Sequence, residues 1–192
     1  GRTINHNLGV APEMMWFKRR DSADIWTVYH SALGEGKRLK LHQNTAAEDD
    51  TSSFNNTAPT SSVFTVGSLG QINGSGTYIA YLFATVAGVS KVGSYTGDGT
   101  TGRVIDCGFT SGAKFVLIKP SSQTGGWNVY DTVRGIVAGN DPFLILNSSG
   151  AEVTNQSDDI DANNSGFIVN QQALGNFLNG SGVTYIFYAV AT

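Results

Sequence analysis

The sequence has few charged residues and no excess of basic ones. Asp, Glu, Lys and Arg together make up 14% of the 192 residues, against about 25% in an ordinary globular protein. The formal net charge is −3 and the pI is near 5.5. Because nucleic-acid binding rests on neutralising phosphates with Lys and Arg, this composition predicts no nucleic-acid partner.

Other absences exclude whole classes of site. Cys107 is the only cysteine, so the chain can form neither an internal disulfide nor a metal site made of cysteines alone. No run approaches the ~18 consecutive apolar residues of a membrane span, and the first residues lack the charged-then-apolar order of a signal peptide. We therefore expect no membrane insertion.

Motifs for catalysis and cofactor binding are also missing. His6, His30 and His42 have no spacing that aims two imidazoles at one metal. There is no Gly-x-Ser-x-Gly elbow for a hydrolytic triad, and the Gly-rich segments lack the Lys-Ser/Thr of a phosphate-binding loop. The sequence predicts no enzyme, no cofactor and no transition metal.

Glycine and small polar residues are abundant, and the chain repeats itself. Gly occurs 24 times, and clusters of Gly, Asn and Ser separate short β-branched and aromatic runs. Residues 1–34 laid over residues 102–135 match at eight positions, where chance gives about two. An Asn-Gly-Ser-Gly segment at residues 73–76 recurs at residues 179–182. These matches predict a tandem duplication.

The predicted fold is all-β: a tandemly duplicated antiparallel β-sandwich, jelly-roll-like, with two similar halves. We expect repeat 1 over residues 1–88, and a linker with repeat 2 over residues 89–192. The predicted strands of repeat 1 are Met14–Arg19, Trp26–His30, Arg38–Gln43, Ser62–Gly67 and Tyr78–Val86. Those of repeat 2 are Lys114–Lys119, Trp127–Asp131, Phe143–Leu146, Gly166–Asn170 and Tyr185–Ala191.

Two strands of repeat 1 carry more detailed predictions. Trp26–Tyr29 alternates in polarity, which is typical of a half-buried strand. Tyr78–Ala84 is apolar on both faces, which predicts a central strand covered on each side.

The segment between the repeats is rich in turn formers. Ser94–Thr101 consists of residues that favour turns, so we place the boundary near it. Repeat 2 is preceded by Lys91–Tyr95, whereas repeat 1 begins at Gly1. Repeat 1 is therefore expected to lack the equivalent leading strand.

One segment resembles part of a calcium-binding loop. Asp159, Asp161 and Asn163 place oxygen ligands at alternate positions, as such loops do. Asn164 stands where the loop needs Gly, and Asn170 stands where an acidic residue closes it. The alternative is an Asx-rich turn leading into the next strand.

Four aromatic residues are candidates for stacking on a sugar ring: Trp26, Tyr29, Trp127 and Tyr130. Their recurrence in both repeats favours the core for the two tryptophans, with the tyrosine hydroxyls at a polar edge. The acidic residues that a glycan-degrading enzyme would need are few outside the Asp-rich turn, and they look like loop residues: Glu35, Glu48, Asp49 and Asp50.

The chain resembles a repeat family of phage and prophage proteins carried in tail-fibre-like appendages. The resemblance rests on residues 1–14, on Lys18–Asp21 before the Trp26–His30 strand, on residues 93–99 and on residues 73–80. It departs in repeat 2, where Pro120 and Ser121 replace Arg19 and Arg20.

The resemblance implies a virion module that contributes to attachment at the host surface. Its partners would be other virion proteins and a cell-surface glycan or protein, and assembly in the host cytoplasm would need no signal peptide. A capsid decoration or head-fibre protein is the first alternative, and a carbohydrate-binding or glycan-degrading spike domain is the second. We also expect a homo-oligomer, favouring a trimer, because repeated weak sites raise avidity. The alternative is a monomer.

Overall fold

The computed structural model describes residues 1–154, 158–170 and 178–192. The chain forms two compact units, Gly1–Ala84 and Thr85–Thr192, which we call unit 1 and unit 2. Both consist mainly of antiparallel strands, so the all-β prediction is confirmed.

Unit 1 contains seven strands and three single-turn helical segments in its described residues. The strands are β1 (Arg2–Asn5), β2 (Met14–Arg19), β3 (Trp26–His30), β4 (Lys37–Lys40), β5 (Glu48–Asp49), β6 (Val63–Val66) and β7 (Tyr78–Phe83). The helical segments are a 3-10 turn (Ser31–Leu33), α1 (Thr51–Phe54) and α2 (Gly70–Asn73).

The strands of unit 1 form a five-stranded sheet in the order β5-β4-β3-β2-β7 and a two-stranded sheet of β1 and β6. Side chains of both sheets build one core, which includes Met15, Phe17, Tyr29 and Phe64. Phe54 of α1 packs edge-on against Tyr29, with ring centroids 5.1 Å apart. The two sheets are thus joined by apolar packing, as in a β-sandwich.

Unit 2 contains eight strands in its described residues. They are β8 (Ser90–Thr96), β9 (Arg103–Asp106), β10 (Ala113–Pro120), β11 (Asn128–Asp131), β12 (Leu144–Ile145), β13 (Ile160–Asn163), β14 (Gly166–Val169) and β15 (Thr184–Ala191).

Unit 2 has a five-stranded sheet in the order β12-β11-β10-β15-β8 and a three-stranded sheet in the order β13-β14-β9. Its core combines residues of both sheets, including Ile118, Tyr130, Phe167 and Phe187. In both units one long strand, β2 or β10, lies between the strand that follows it, β3 or β11, and the last strand, β7 or β15.

Three predictions made from local sequence are wrong. Ser94–Thr96 is not a turn but the end of β8, which pairs along β15. Trp26–Tyr29 is not half-buried, because Thr27, Val28 and Tyr29 are all buried and thus both faces of β3 are covered. Tyr78–Phe83 is not central but lies at the edge of its sheet, and Tyr81 is 44% exposed.

Candidate functional site

Two partly exposed aromatic rings lie together on one face of unit 1. Trp26 begins β3 and Tyr81 lies in the middle of β7, with β2 between them. Their rings are stacked, with centroids 6.3 Å apart and planes inclined by 26°. Because side chains alternate along a strand, both rings face away from the core that contains Tyr29 and Ala80.

Basic side chains adjoin these rings. The Lys18 ammonium lies 6.0 Å from the centre of the Trp26 ring and donates a hydrogen bond to the carbonyl oxygen of Asp24. His42 Nδ1 accepts a hydrogen bond from the Trp26 backbone N–H at 3.4 Å. Burial lowers the pKa of His42, with smaller contributions from Lys40 and Lys18.

We call Trp26, Tyr81, Lys18 and His42 the aromatic patch. Flat apolar faces beside a cation suit a ligand that has an apolar face and polar or acidic groups at its edge. A sugar ring has this character. Tyr81 was not a candidate from the sequence, because Tyr78–Ala84 was predicted to be a strand covered on both faces. Trp26 was expected in the core, but it is only partly buried.

The other three aromatic candidates are buried and offer no face to a ligand. Tyr29 is 2% exposed, Trp127 is 1% exposed and Tyr130 is 0% exposed. Burial and the neighbouring Glu35 carboxylate raise the pKa of Tyr29 to about 12. The Tyr130 hydroxyl donates a hydrogen bond to Asp159 Oδ2 at 3.2 Å. Only Trp26 of the four predicted aromatic residues therefore lies where a sugar could reach it.

The predicted calcium ligands lie along β13 and its turn, and each has a protein partner. Asp159 Oδ2 accepts from Tyr130, and Asp161 Oδ2 accepts from Asn170 Nδ2 at 2.8 Å. Asn163 Oδ1 accepts from the backbone N–H of Ser165 at 3.0 Å, an Asx turn between β13 and β14. The geometry thus matches the alternative of an Asx turn. Within the described ranges, no group of three or more His, Cys, Asp or Glu side chains could hold a metal ion.

A buried carboxylate also lies in unit 2, at Asp141. Its oxygens accept hydrogen bonds from the backbone N–H groups of Val137, Asp159 and Ile160, at 3.2, 2.8 and 2.9 Å. Burial raises the pKa of Asp141 to about 6. Three backbone donors on one carboxylate tie the loop before β12 to the start of β13, so we assign Asp141 a structural role.

Two of the acidic residues considered for glycan cleavage, Glu48 and Asp50, form ion pairs with Arg38. Its Nε lies 2.7 Å from Glu48 Oε1 and 2.8 Å from Asp50 Oδ2. Asp50 also caps α1 by accepting from the N–H groups of Ser52 and Ser53. Paired and capping carboxylates of this kind stabilise a loop.

Cys107 is 6% exposed, and burial raises the pKa of its thiol to about 12. A thiol of this kind stays protonated at neutral pH and is a poor nucleophile.

No helix in the described part of the chain is long and apolar enough to cross a membrane. No curated protein and no solved structure matches the sequence. A family model described as a domain of unknown function, DUF7483, matches residues 1–192, so the chain belongs to that family.

Proposed function

We propose that this chain is a non-enzymatic adhesion module of a virion appendage, similar to phage tail fibres, and that the aromatic patch binds a glycan on the host surface. The observation that carries this proposal is the stacked pair of Trp26 and Tyr81, with Lys18 beside it. Tyr81 is 44% exposed, so the stacked pair presents aromatic surface to the solvent. Exposed aromatic residues beside a cation favour a binding role over a purely structural one.

We also infer that the two units are tandem copies of one jelly-roll-like sandwich. The order β4-β3-β2-β7 in unit 1 corresponds to the order β12-β11-β10-β15 in unit 2. A further parallel lies in the Asn-Gly-Ser-Gly segments. The Tyr78 hydroxyl accepts from the N–H of Gly74, and the Tyr185 hydroxyl accepts from the N–H of Gly180, both at 2.9 Å.

A weak glycan site gains from repetition. Several copies of the patch on one particle raise avidity by orders of magnitude without a strong single site. We therefore propose a homo-oligomer, favouring a trimer, held to other virion proteins. Light scattering of the purified chain measures this directly, and a monomer over a wide concentration range contradicts it.

The experiment is a glycan-array screen followed by calorimetry with the sugars that bind. We expect Trp26→Ala and Tyr81→Ala each to weaken binding at least about tenfold, because stacked aromatic residues dominate such contacts. Val133→Ser is the matched control, since Val133 is 94% exposed and lies in unit 2. Binding that survives both patch variants, or no binding to any glycan, contradicts the proposal.

The same samples test for catalysis. We expect no release of reducing ends from any glycan that binds. Turnover that disappears in Glu48→Gln or Asp159→Asn would identify a glycan-degrading domain instead.

A further inference from the structure

The outer edge of β7 has backbone groups without a strand partner. Arg20 N–H donates to the carbonyl oxygen of Thr77 at 2.8 Å, which fixes the hydrogen-bonded positions along β2 and β7. Because these positions alternate in an antiparallel pair, the backbone groups of Tyr78, Ala80 and Leu82 point away from β2. No strand in the described residues pairs with this edge.

The corresponding edge in unit 2 is covered by β8. Gly97 N–H donates to the Val183 carbonyl at 2.7 Å, and Ala191 N–H donates to the Val89 carbonyl at 2.8 Å. The register between these bonds is Tyr185 with Tyr95, Phe187 with Gly93 and Ala189 with Lys91. Aligning the two Thr-Tyr-Ile segments, residues 77–79 and 184–186, matches Tyr185, Phe187 and Ala189 to Tyr78, Ala80 and Leu82. The three positions that β8 uses on β15 are therefore the three that are open on β7.

Tyr95 is the side chain through which β8 enters the core of unit 2. Its ring stacks on Tyr185, with centroids 5.0 Å apart and planes 13° apart. Its hydroxyl donates to the Leu178 carbonyl, and the Arg103 guanidinium lies 5.5 Å from its ring centre. Tyr95 is 8% exposed.

Unit 1 has a cavity where this tyrosine would lie. The cavity measures about 300 Å³ and is lined by Arg2, Ile72, Tyr78 and Ala80, among others. In the repeat alignment these four residues correspond to Arg103, Leu178, Tyr185 and Phe187. A cavity of about 150 Å³ already accommodates benzene, so this one has room for a tyrosine ring.

We propose that the open edge of β7 and this cavity bind an extended segment of a partner polypeptide, which adds as a strand beside β7 and places a tyrosine in the cavity. Main-chain hydrogen bonds to Tyr78, Ala80 and Leu82 supply affinity, and the tyrosine pocket supplies specificity. Arg2, which is exposed, lies over the ring as Arg103 does over Tyr95.

The loop after β8 indicates which residues follow the tyrosine. A Cβ on Gly97 would lie 2.1 Å from the carbonyl oxygen of Gly180, so only glycine fits there. The next residue, Asp98, accepts a hydrogen bond from Asn179 Nδ2 at 2.9 Å. The counterpart of Asn179 in unit 1 is Asn73, which lines the cavity. The partner segment therefore has the pattern Tyr-x-Gly-Asp.

A second copy of β7 could not supply the tyrosine that the cavity is proposed to bind. The Tyr78 hydroxyl already donates to the Gly70 carbonyl at 2.7 Å and accepts from Gly74. Tyr81 faces the opposite side of the sheet from Ala80 and Leu82. Pairing of two β7 edges would thus leave both cavities empty.

The test adds a synthetic peptide with the sequence of residues 89–99 to the 192-residue chain and follows amide hydrogen exchange. We expect saturable binding that slows exchange at Tyr78, Ala80 and Leu82. The inward-facing amides of Ile79 and Tyr81 should change little. No slowing at saturating peptide overturns the proposal.

Two altered peptides test the tyrosine cavity and the open edge of β7 separately. Replacing the tyrosine by alanine should weaken binding at least about tenfold, because the cavity is then left empty. Replacing the glycine at position 93 by proline removes a paired N–H and should have a similar effect. Equal binding of all three peptides contradicts the proposed mode.

Substitutions in the chain itself test the contacts that the peptide is proposed to make. Arg2→Ala should weaken the tyrosine peptide and leave the alanine peptide unchanged. Leu82→Pro removes an outward N–H at an edge strand, a position that tolerates proline, together with a side chain that packs against the core of unit 1. This variant should abolish the slowed exchange. If circular dichroism shows that this variant is unfolded, the result with Arg2→Ala alone decides whether the proposal holds.

Other occupants give different results. Dimerisation of the chain without peptide, with slowed exchange along β7, would show that a second copy covers the edge. Binding of p-cresol as tight as the peptide, without slowed exchange, would show a pocket for small aromatic molecules. Either result overturns the proposal, and neither depends on whether the aromatic patch binds a glycan.

Discussion

β7 and β15 begin with the same residues and have different surroundings. Tyr78-Ile79 opens β7 and Thr184-Tyr185-Ile186 opens β15, and Thr77 directly precedes β7. In β15, Tyr185 is 0% exposed and Ile186 is 1% exposed, whereas every residue of β7 is at least partly exposed. β8 pairs with β15 and no described strand pairs with the outer edge of β7. The burial of a strand is thus set by its neighbours more than by its own residues.

The two equivalent lysines differ in the same way. Lys18 of β2 is partly exposed beside Trp26, whereas Lys119 of β10 is 0% exposed and donates to the Pro120 carbonyl. Burial lowers the pKa of Lys119 to about 8, because a charged ammonium is poorly solvated there. The lysine that occupies the same position in both units is therefore partly exposed to solvent in unit 1 and buried in unit 2.

The largest expected effect comes from removing the ring with which β8 covers β15. Tyr95→Ala should lower the free energy of unfolding by about 3–5 kcal/mol, the usual range for a large buried aromatic residue. Tyr81→Ala, on the edge strand, should lower it by less than about 1 kcal/mol. Urea denaturation of both variants measures the difference. Equal losses of unfolding free energy in the two variants would mean that the Tyr95 ring is not what holds β8 against β15.

The next effect is a pH dependence at Lys119. Its pKa is about 8 in the folded chain and near 10.4 when unfolded, so the unfolded state binds more protons between these values. Stability should therefore rise from pH 8 to pH 10.5, by up to about 3 kcal/mol.

Comparing the wild type with Lys119→Met separates the contribution of Lys119 to the pH dependence of stability from that of the titrating tyrosines. The rise should disappear in that variant. Lys18→Met is the control and should keep it. A wild type and a Lys119→Met variant with parallel stability curves would show that the Lys119 ammonium is better solvated than its burial indicates.

The smallest effect is expected at the hydroxyl groups of the paired tyrosines. Tyr185→Phe leaves the Gly180 N–H without its acceptor inside the protein and should cost about 1–2 kcal/mol. Tyr78→Phe should cost less than about 1 kcal/mol, because water can replace the hydroxyl at the exposed Gly74. Thermal unfolding measures both. A larger loss in Tyr78→Phe would indicate that the edge of unit 1 is covered in solution.

Strong local patterns predicted the inner strands well. Met14–Arg19 and Trp26–His30 have the predicted bounds, since the first contains two adjacent aromatic residues and the second combines aromatic with β-branched residues. The short strands β1, β9 and β13 were missed, because their alternation is too brief to distinguish from a loop. The sequence also could not indicate that Tyr130, from another strand, donates a hydrogen bond to Asp159.

The sequence by itself determined the all-β class and the inner strands of the two five-stranded sheets. It also indicated Trp26 as a candidate for ligand stacking. These follow from local preferences and from a repeat in the residues themselves. Only the tertiary structure decided that β8 covers β15, that β7 is an edge strand and that Tyr81 joins Trp26 at the surface. Edges, cavities and ring pairs depend on which strands become neighbours, and that is a non-local property of the fold.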